Sequence, residues 1–237
     1  MGVALKDLLV GEEIDLNDLK GRILVIDAYN NLYQYISSIR QRDGSLLVDS
    51  NGNVTSHLIG IFSRTTNLMQ RGIKLAFVFD GVVPELKGKE RERRNNIKIE
   101  AEKKYKEAKK KKDKEGMKKY ASRTSRLTSE MVEEAKKLIR ALGLPVIDAP
   151  SEGEAQAAYI VSKGKAFAIV SQDYDSLLYG AEKVIQNLTI STRKKKPNSL
   201  TYQTVKPRIL SLSESLNKLG IDKDQLIILS ILIGTDY

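Results

Sequence analysis

Seven carboxylates close apolar runs or stand two apart: Asp27, Asp80, Glu152, Glu154, Asp173, Asp175 and, next to the last residue, Asp236. Asp27 ends the run Ile23-Leu24-Val25-Ile26, and Asp80 ends Leu75–Phe79. Asp173 and Asp175 follow the run 166–171. Acids gathered at the same ends of neighbouring strands repel one another unless cations sit among them. Hard divalent ions such as Mg2+ take oxygen ligands, and two of them can activate water and hold both oxygens of a phosphoryl displacement. Beside a very basic segment, that donor set points to metal-dependent cleavage of a phosphodiester.

Each acid also has a plainer reading. One Asp after a strand is commonly a turn or cap residue. Three strands ending this way, with two acidic i,i+2 pairs, weaken that account. Asp148 also follows an apolar run, but Ala149-Pro150 comes next and it reads as structural. Ser151-Glu152-Gly153-Glu154 reads as a capping box, with Ser151 as N-cap and Glu154 three residues on. Residues two apart on a regular helix diverge, so both glutamates face one ion only from an irregular first turn, which Gly153 permits.

Other chemistries lack their residues. The chain of 237 residues has no Cys, which excludes disulfides and thiolate metal sites, and a single histidine, His57, which argues against His-rich zinc sites and a Ser–His–Asp triad. No phosphate-binding Gly-x-x-x-x-Gly-Lys-Ser/Thr loop is present. Asp80 is followed by Gly81-Val82, without the second Asp of an aspartyl-phosphate phosphatase. The start of the chain is too polar for a signal peptide, and the apolar stretch 226–233 is too short to cross a bilayer, so an intracellular protein without a membrane partner is expected.

The net charge of +10 is concentrated. Residues 87–126 hold 18 Lys/Arg against 7 Asp/Glu, an excess of +11 that leaves the remainder near −1. A basic limb on a nearly neutral body suits a polyanion. Single strands are held by basic grooves with aromatic stacking, for which Tyr33 and Tyr105 are candidates. Residues 193–196 add a smaller basic loop.

The elements that must position these groups follow from periodicity. Runs 23–27, 75–80, 145–148 and 166–171 read as buried strands, with further strands at 183–190 and 200–205. Helical spacing recurs over 29–39, 55–70, 128–142, from Glu152 and over 224–233. Residues 41–53 are turn-rich. Residues 90–121 are helix formers with few apolar positions and a break near Gly116, an insertion that would be marginal alone. Strands alternating with helices predict an α/β fold with a mostly parallel sheet covered on both faces.

Val25-Ile26-Asp27-Ala28, Phe79-Asp80-Gly81 with Pro84 and Lys87, Ala149–Ala155, Ser171–Ser176 and Gly234-Thr235-Asp236-Tyr237 together resemble the structure-specific 5′ nucleases of the XPG type, in particular archaeal flap endonucleases. The resemblance runs the whole chain in order. It implies a PIN-like core in two pieces, residues 1–86 and 127–237, with a basic helical arch over 87–126. It further implies two Mg2+ ions, with Mn2+ as a substitute: Asp27, Asp80, Glu152 and Glu154 chiefly on one, Asp173, Asp175 and Asp236 chiefly on the other. Lys87 and Arg94 match a basic pair that steadies the scissile phosphate. Gly2, Tyr33, Arg40, Arg64 and Gly234, besides Glu152 and Asp236, match substrate contacts. Flap DNA is the implied partner in replication and repair. The family continues past Gly-Thr-Asp-Tyr into a duplex-gripping helical hairpin and a tail that binds the sliding clamp, both expected to be missing here. Other PIN-like 5′ exonucleases or ribonucleases share the carboxylates, and a non-catalytic DNA-binding module shares the basic limb.

Overall fold

The computed structural model describes residues 5–41, 43–121, 124–189, 193–195 and 202–234. Among these residues nine strands are described: β1 (Gly11–Glu13), β2 (Ile23–Asp27), β3 (Lys74–Phe79), β4 (Val146–Asp148), β5 (Ala168–Val170), β6 (Lys183–Gln186), β7 (Arg193–Lys195), β8 (Tyr202–Thr204) and β9 (Arg208–Ser211). Nine α-helices are described: α1 (Ala28–Ser38), α2 (Ser56–Gln70), α3 (Gly88–Lys110), α4 (Lys114–Ala121), α5 (Ser129–Ala141), α6 (Gly153–Ser162), α7 (Asp175–Leu178), α8 (Leu212–Leu219) and α9 (Lys223–Ile233). Two compact units divide them: Met1–Ala28 with Thr65–Val82 and Pro145–Asp236, and Tyr29–Arg64 with Val83–Leu144.

The first unit holds a seven-stranded sheet in the order β1-β9-β6-β5-β2-β3-β4. β2, β3, β4, β5 and β6 are mutually parallel, and β9 runs antiparallel to both β6 and β1. The expected α/β class with a mostly parallel sheet is therefore observed, and β9 and β1 add an antiparallel edge. From β2 the chain builds outward through β3 to β4, then returns to the other side of β2 for β5 and β6. The order reverses between β2 and β5, and in such sheets ligands bind beyond the strand ends at that point. Ile26 pairs with Val170 across it, which sets Asp27 and the 171–175 loop at one end of the sheet.

β2 and β3 bury every residue after their first, as strands covered on both faces must. Val25, Val78, Ala157, Ile169, Leu177, Val184 and Leu226 belong to one buried cluster. The strand expected at 183–190 stops at Gln186, where Asn187 adopts a left-handed φ of 63°. The segment expected at 200–205 is β8, paired only with β7 as a separate ribbon.

In the second unit, Arg40 bridges to Leu46 and Val48 to Val54, giving the turn-rich segment a narrow antiparallel form. Gly60 on α2 lets the Tyr35 ring approach: a Cβ there would lie 2.3 Å from the Tyr35 Cγ. The basic segment forms α3 and α4. Its break falls at 111–113 rather than at Gly116, because Asp113 Oδ1 accepts from the amides of Glu115 (3.1 Å) and Gly116 (3.0 Å) and starts α4. The residues described as buried in α3 and α4 are Ala101, Ala108, Met117 and Ala121, while Ile97 and Ile99 are exposed.

Candidate active site

Asp27, the last residue of β2, is buried at 6 % exposure. Ser171, just past β5, lies beside it: its hydroxyl is 3.3 Å from Asp27 Oδ2 and 3.1 Å from Glu154 Oε1. It also accepts the Asp173 amide at 3.2 Å. One hydroxyl has one proton, so it can donate to only one of the two carboxylates at a time. Ser176 Oγ approaches the same Glu154 oxygen at 3.4 Å. Gln186 of β6 donates to the Gln172 carbonyl at 2.9 Å and ties this loop to the sheet.

Asp80 follows β3, and its Oδ1 accepts the Gly153 amide at 2.7 Å, at the start of α6. The expected capping box is not formed. Glu152, not Ser151, occupies the N-cap position and makes no side-chain cap bond. The Ser151 hydroxyl donates instead to the Val82 carbonyl at 3.0 Å. The acceptor that satisfies the helix start is thus a strand-end carboxylate. Gly81 makes the juncture possible, since a Cβ there would lie 2.0 Å from the Ala149 carbonyl oxygen. The Gly81 amide donates to the Ser151 carbonyl at 2.6 Å.

Asp175 opens α7, and Tyr179 follows that helix, where its hydroxyl donates to Glu152 Oε2. The carboxylates of Asp27, Glu154, Asp173 and Asp175 are electrostatically one group. Burial pushes the Glu154 carboxyl well above the ordinary glutamate range, and the charges of Asp27, Asp175 and Asp173 push it further. Among the described residues no three acidic or histidine side chains already enclose a metal ion. The donor set still fits one: it is all oxygen, it repels itself, and a divalent cation is the species that would relieve it. Gly2 and Asp236 lie outside the described residues.

The basic candidates belong to the second unit. Lys87 ends a short 3-10 turn before α3, and Arg94 lies two helical turns on. The Arg94 Nε donates to Glu90 at 2.8 Å, alongside Arg93, and these bonds hold the Glu90 carboxyl down at about 2. The half-exposed Tyr33 ring carries Lys98 Nζ 4.8 Å above its centroid. Burial, then Arg126 and Arg94, lower the Lys98 pKa. Arg40 uses its guanidinium within the protein, donating to the Gly44 carbonyl (2.8 Å) and the Ser125 hydroxyl (2.7 Å). Arg64 is half-buried on α2, and Gly234 caps the C-terminus of α9 with φ 117°. Reading the sequence missed Ser171, Tyr179 and Lys98. Ser171 and Tyr179 sit within four residues of acidic candidates, which is the one signal that could have raised them.

Family models match two stretches: the XPG N-terminal domain over residues 1–101 and the XPG I-region over residues 143–236. Flap endonuclease 1 of Staphylothermus marinus is 55 % identical over 241 residues, and that of Pyrococcus horikoshii is 52 % identical over 237. All of this chain is covered in both cases, and it spans 69 % of each relative. Among solved structures, flap endonuclease-1 from Methanococcus jannaschii matches with a TM-score of 0.75 at 45 % identity, over the whole of this chain and 71 % of that one. The catalytic core of Rad2 in complex with DNA substrate matches with a TM-score of 0.71 at 26 % identity, over the whole of this chain and 63 % of that one.

Proposed function

The chain belongs to the XPG family, with the flap endonucleases, and from that premise we propose that it is a Mg2+-dependent 5′ flap endonuclease whose ligands are the strand-end carboxylates. It is a structure-specific nuclease, its partner is DNA, and the family uses divalent metal. Mg2+ as the ion and the residue roles are our reading. The observation that carries them is the convergence of strand-end acids: the Ser171 hydroxyl lies 3.3 Å from Asp27 and 3.1 Å from Glu154, and Asp80 accepts the amide that starts the same helix.

Asp27, Asp80, Glu152 and Glu154 would hold chiefly one ion, and Asp173, Asp175 and Asp236 chiefly the other. When bound, the pair supplies an activated water and stabilises the departing 3′ oxygen. Ser171 keeps Asp27 and Glu154 in register at their shared hydroxyl. Asp80 fixes the start of α6, and with it Glu152 and Glu154. Lys87 and Arg94 offset charge developing on the phosphoryl oxygens. By likeness to the family we assign Tyr33 to stacking near the cleaved link, and Gly2, Arg40, Arg64 and Gly234 to substrate contacts. In domain terms we keep residues 87–126 as a basic arch between two pieces of nuclease core. The buried His57, whose Nε2 lies 3.2 Å from Glu134, has no part in the chemistry.

The setting we assign is intracellular, in replication and repair, with the sliding clamp as partner through a family tail outside residues 1–237. Among the described residues no helix is long and apolar enough to cross a membrane. A cleavage assay on 5′-flap DNA tests the reading. Mg2+-dependent release of the flap with a 3′-hydroxyl, leaving the new 5′-phosphate on the strand that remains in the duplex, supports it. Binding without cleavage at any Mg2+ concentration, or preference for RNA over flap DNA, contradicts it.

A further inference from the structure

Tyr179 has no task in the chemistry described so far. It comes one helical turn after Asp175, and residues four apart on a helix share a face. Its amide closes that turn on the Asp175 carbonyl at 3.1 Å. Ser176 and Leu177, between them, are fully buried, so the turn cannot roll without uncovering them. The phenol is therefore mounted on a fixed platform beside an acidic candidate. Its ring is 39 % exposed, yet its hydroxyl reaches across to Glu152 Oε2.

Glu152 receives this support from outside its own helix. It occupies the N-cap position of α6 but makes no side-chain cap bond, so the helix itself does not fix its carboxylate. Asp27 and Glu154 share the Ser171 hydroxyl, and Asp80 is held by the Gly153 amide. The more firmly a ligand carboxylate is oriented beforehand, the less freedom it loses when a cation binds. A Lys or Arg at position 179 would order it but cancel the charge the cation requires. A phenol orders it and leaves the charge in place.

We propose that Tyr179 is a positioning residue of the metal site, its hydroxyl holding the Glu152 carboxylate in the orientation that receives a divalent cation. The role rests on the metal reading given above. Hydrogen-bond partners of metal ligands typically set affinity by about 10–100-fold, and one neutral donor at the rim belongs at the lower end.

The test is a Mg2+ titration of the intact protein, followed by melting temperature and by calorimetry, for wild type, Tyr179→Phe, Glu152→Gln and the double variant. Phenylalanine keeps the ring, so the metal-free melting temperature should stay within about 2 °C of wild type. The Mg2+ concentration at half-saturation should rise about tenfold, while cleavage at saturating Mg2+ recovers. On the Glu152→Gln background the same change should add less than about twofold, because the partner it orients is gone. A Tyr179→Phe midpoint within about twofold of a wild type that does respond to Mg2+ overturns the role. An undiminished effect on the Glu152→Gln background overturns it as well. A wild type blind to Mg2+ overturns the metal reading beneath it, and this role with it.

Discussion

The Gly153 amide donates to Asp80 Oδ1 at 2.7 Å, so a carboxylate at the end of β3 starts the helix that carries Glu154. Two acids 74 positions apart in the chain are thereby placed by a single bond from the intervening backbone. The same bond makes Asp80 both a ligand candidate and a structural cap, and substitutions can separate those duties.

Asp80→Asn keeps an oxygen for the Gly153 amide but removes the charge. It should melt close to wild type while losing cleavage. Asp80→Ala removes both, and loss of a helix-start acceptor costs about 1 kcal/mol, or a fall of about 2–4 °C for a protein of this size. Flap binding should remain within a few-fold in both. Thermal melts, gel-shift binding and turnover read the three outcomes, and wild-type turnover in Asp80→Asn would contradict the assignment.

The two glycines at this juncture should respond differently. A Cβ on Gly81 meets the backbone of Ala149 and Pro150, at 2.0 and 2.9 Å, and no rotamer relieves it. Gly81→Ala should cost about 1–3 kcal/mol or more in urea unfolding. A Cβ on Gly153 meets the end of the Asp80 side chain at 2.7 Å, which can turn. Turning it disturbs the bond from the Gly153 amide to the same oxygen, so Gly153→Ala should cost up to about 1 kcal/mol, less than Gly81→Ala, and shift the Mg2+ requirement a few-fold.

Metal-free stability should depend on pH through Glu154. Its folded carboxyl is raised by burial and by Asp27, Asp175 and Asp173 above the ordinary value of 4.5. The folded state thus holds a proton that the unfolded chain has released, so stability in EDTA is greatest at or below that value and falls as pH rises toward the raised one. Glu154→Gln should flatten that fall and raise the metal-free melting temperature near neutral pH. A parallel pH dependence in wild type and variant would contradict the crowding of these acids.

Much of this was legible in the sequence, for physical reasons. β2 and β3 are β-branched or aromatic runs that end in Asp, and both proved buried with the acid at the strand end. The antiparallel edge was not legible, because β1 and β9 are three and four residues long and carry almost no period. α8 carries its signals at its ends: Ser211 accepts the Glu214 amide, and Gly220 ends the helix with φ 66°. The cap of α6 was misassigned because local spacing names Ser151, whereas the true acceptor arrives from 73 residues away. In the basic segment the few apolar positions include Ile97, Ile99 and Met117; Met117 is buried together with the small Ala101, Ala108 and Ala121, whereas Ile97 and Ile99 are exposed.

That shallow burial predicts fast local opening. Burying three alanines and one methionine stabilises α3 and α4 far less than the strands are stabilised. Amide exchange over 88–121 should be much faster than in β2 and β3 without DNA, and slower with flap DNA bound. Affinity for DNA should fall steeply between about 50 and 200 mM salt. Exchange protection equal to that of the central strands would refute the first expectation, and salt-independent binding the second.

Joint uptake of a divalent ion by the strand-end acids is the decisive event. The measurement is the melting temperature of the wild-type protein in EDTA and in saturating Mg2+. Ligand at about 100 times its dissociation constant adds about 2.7 kcal/mol, which for this chain length is a rise of roughly 5–10 °C, and Glu154→Gln should remove most of it. Coincident melting curves with and without Mg2+ would contradict the claim.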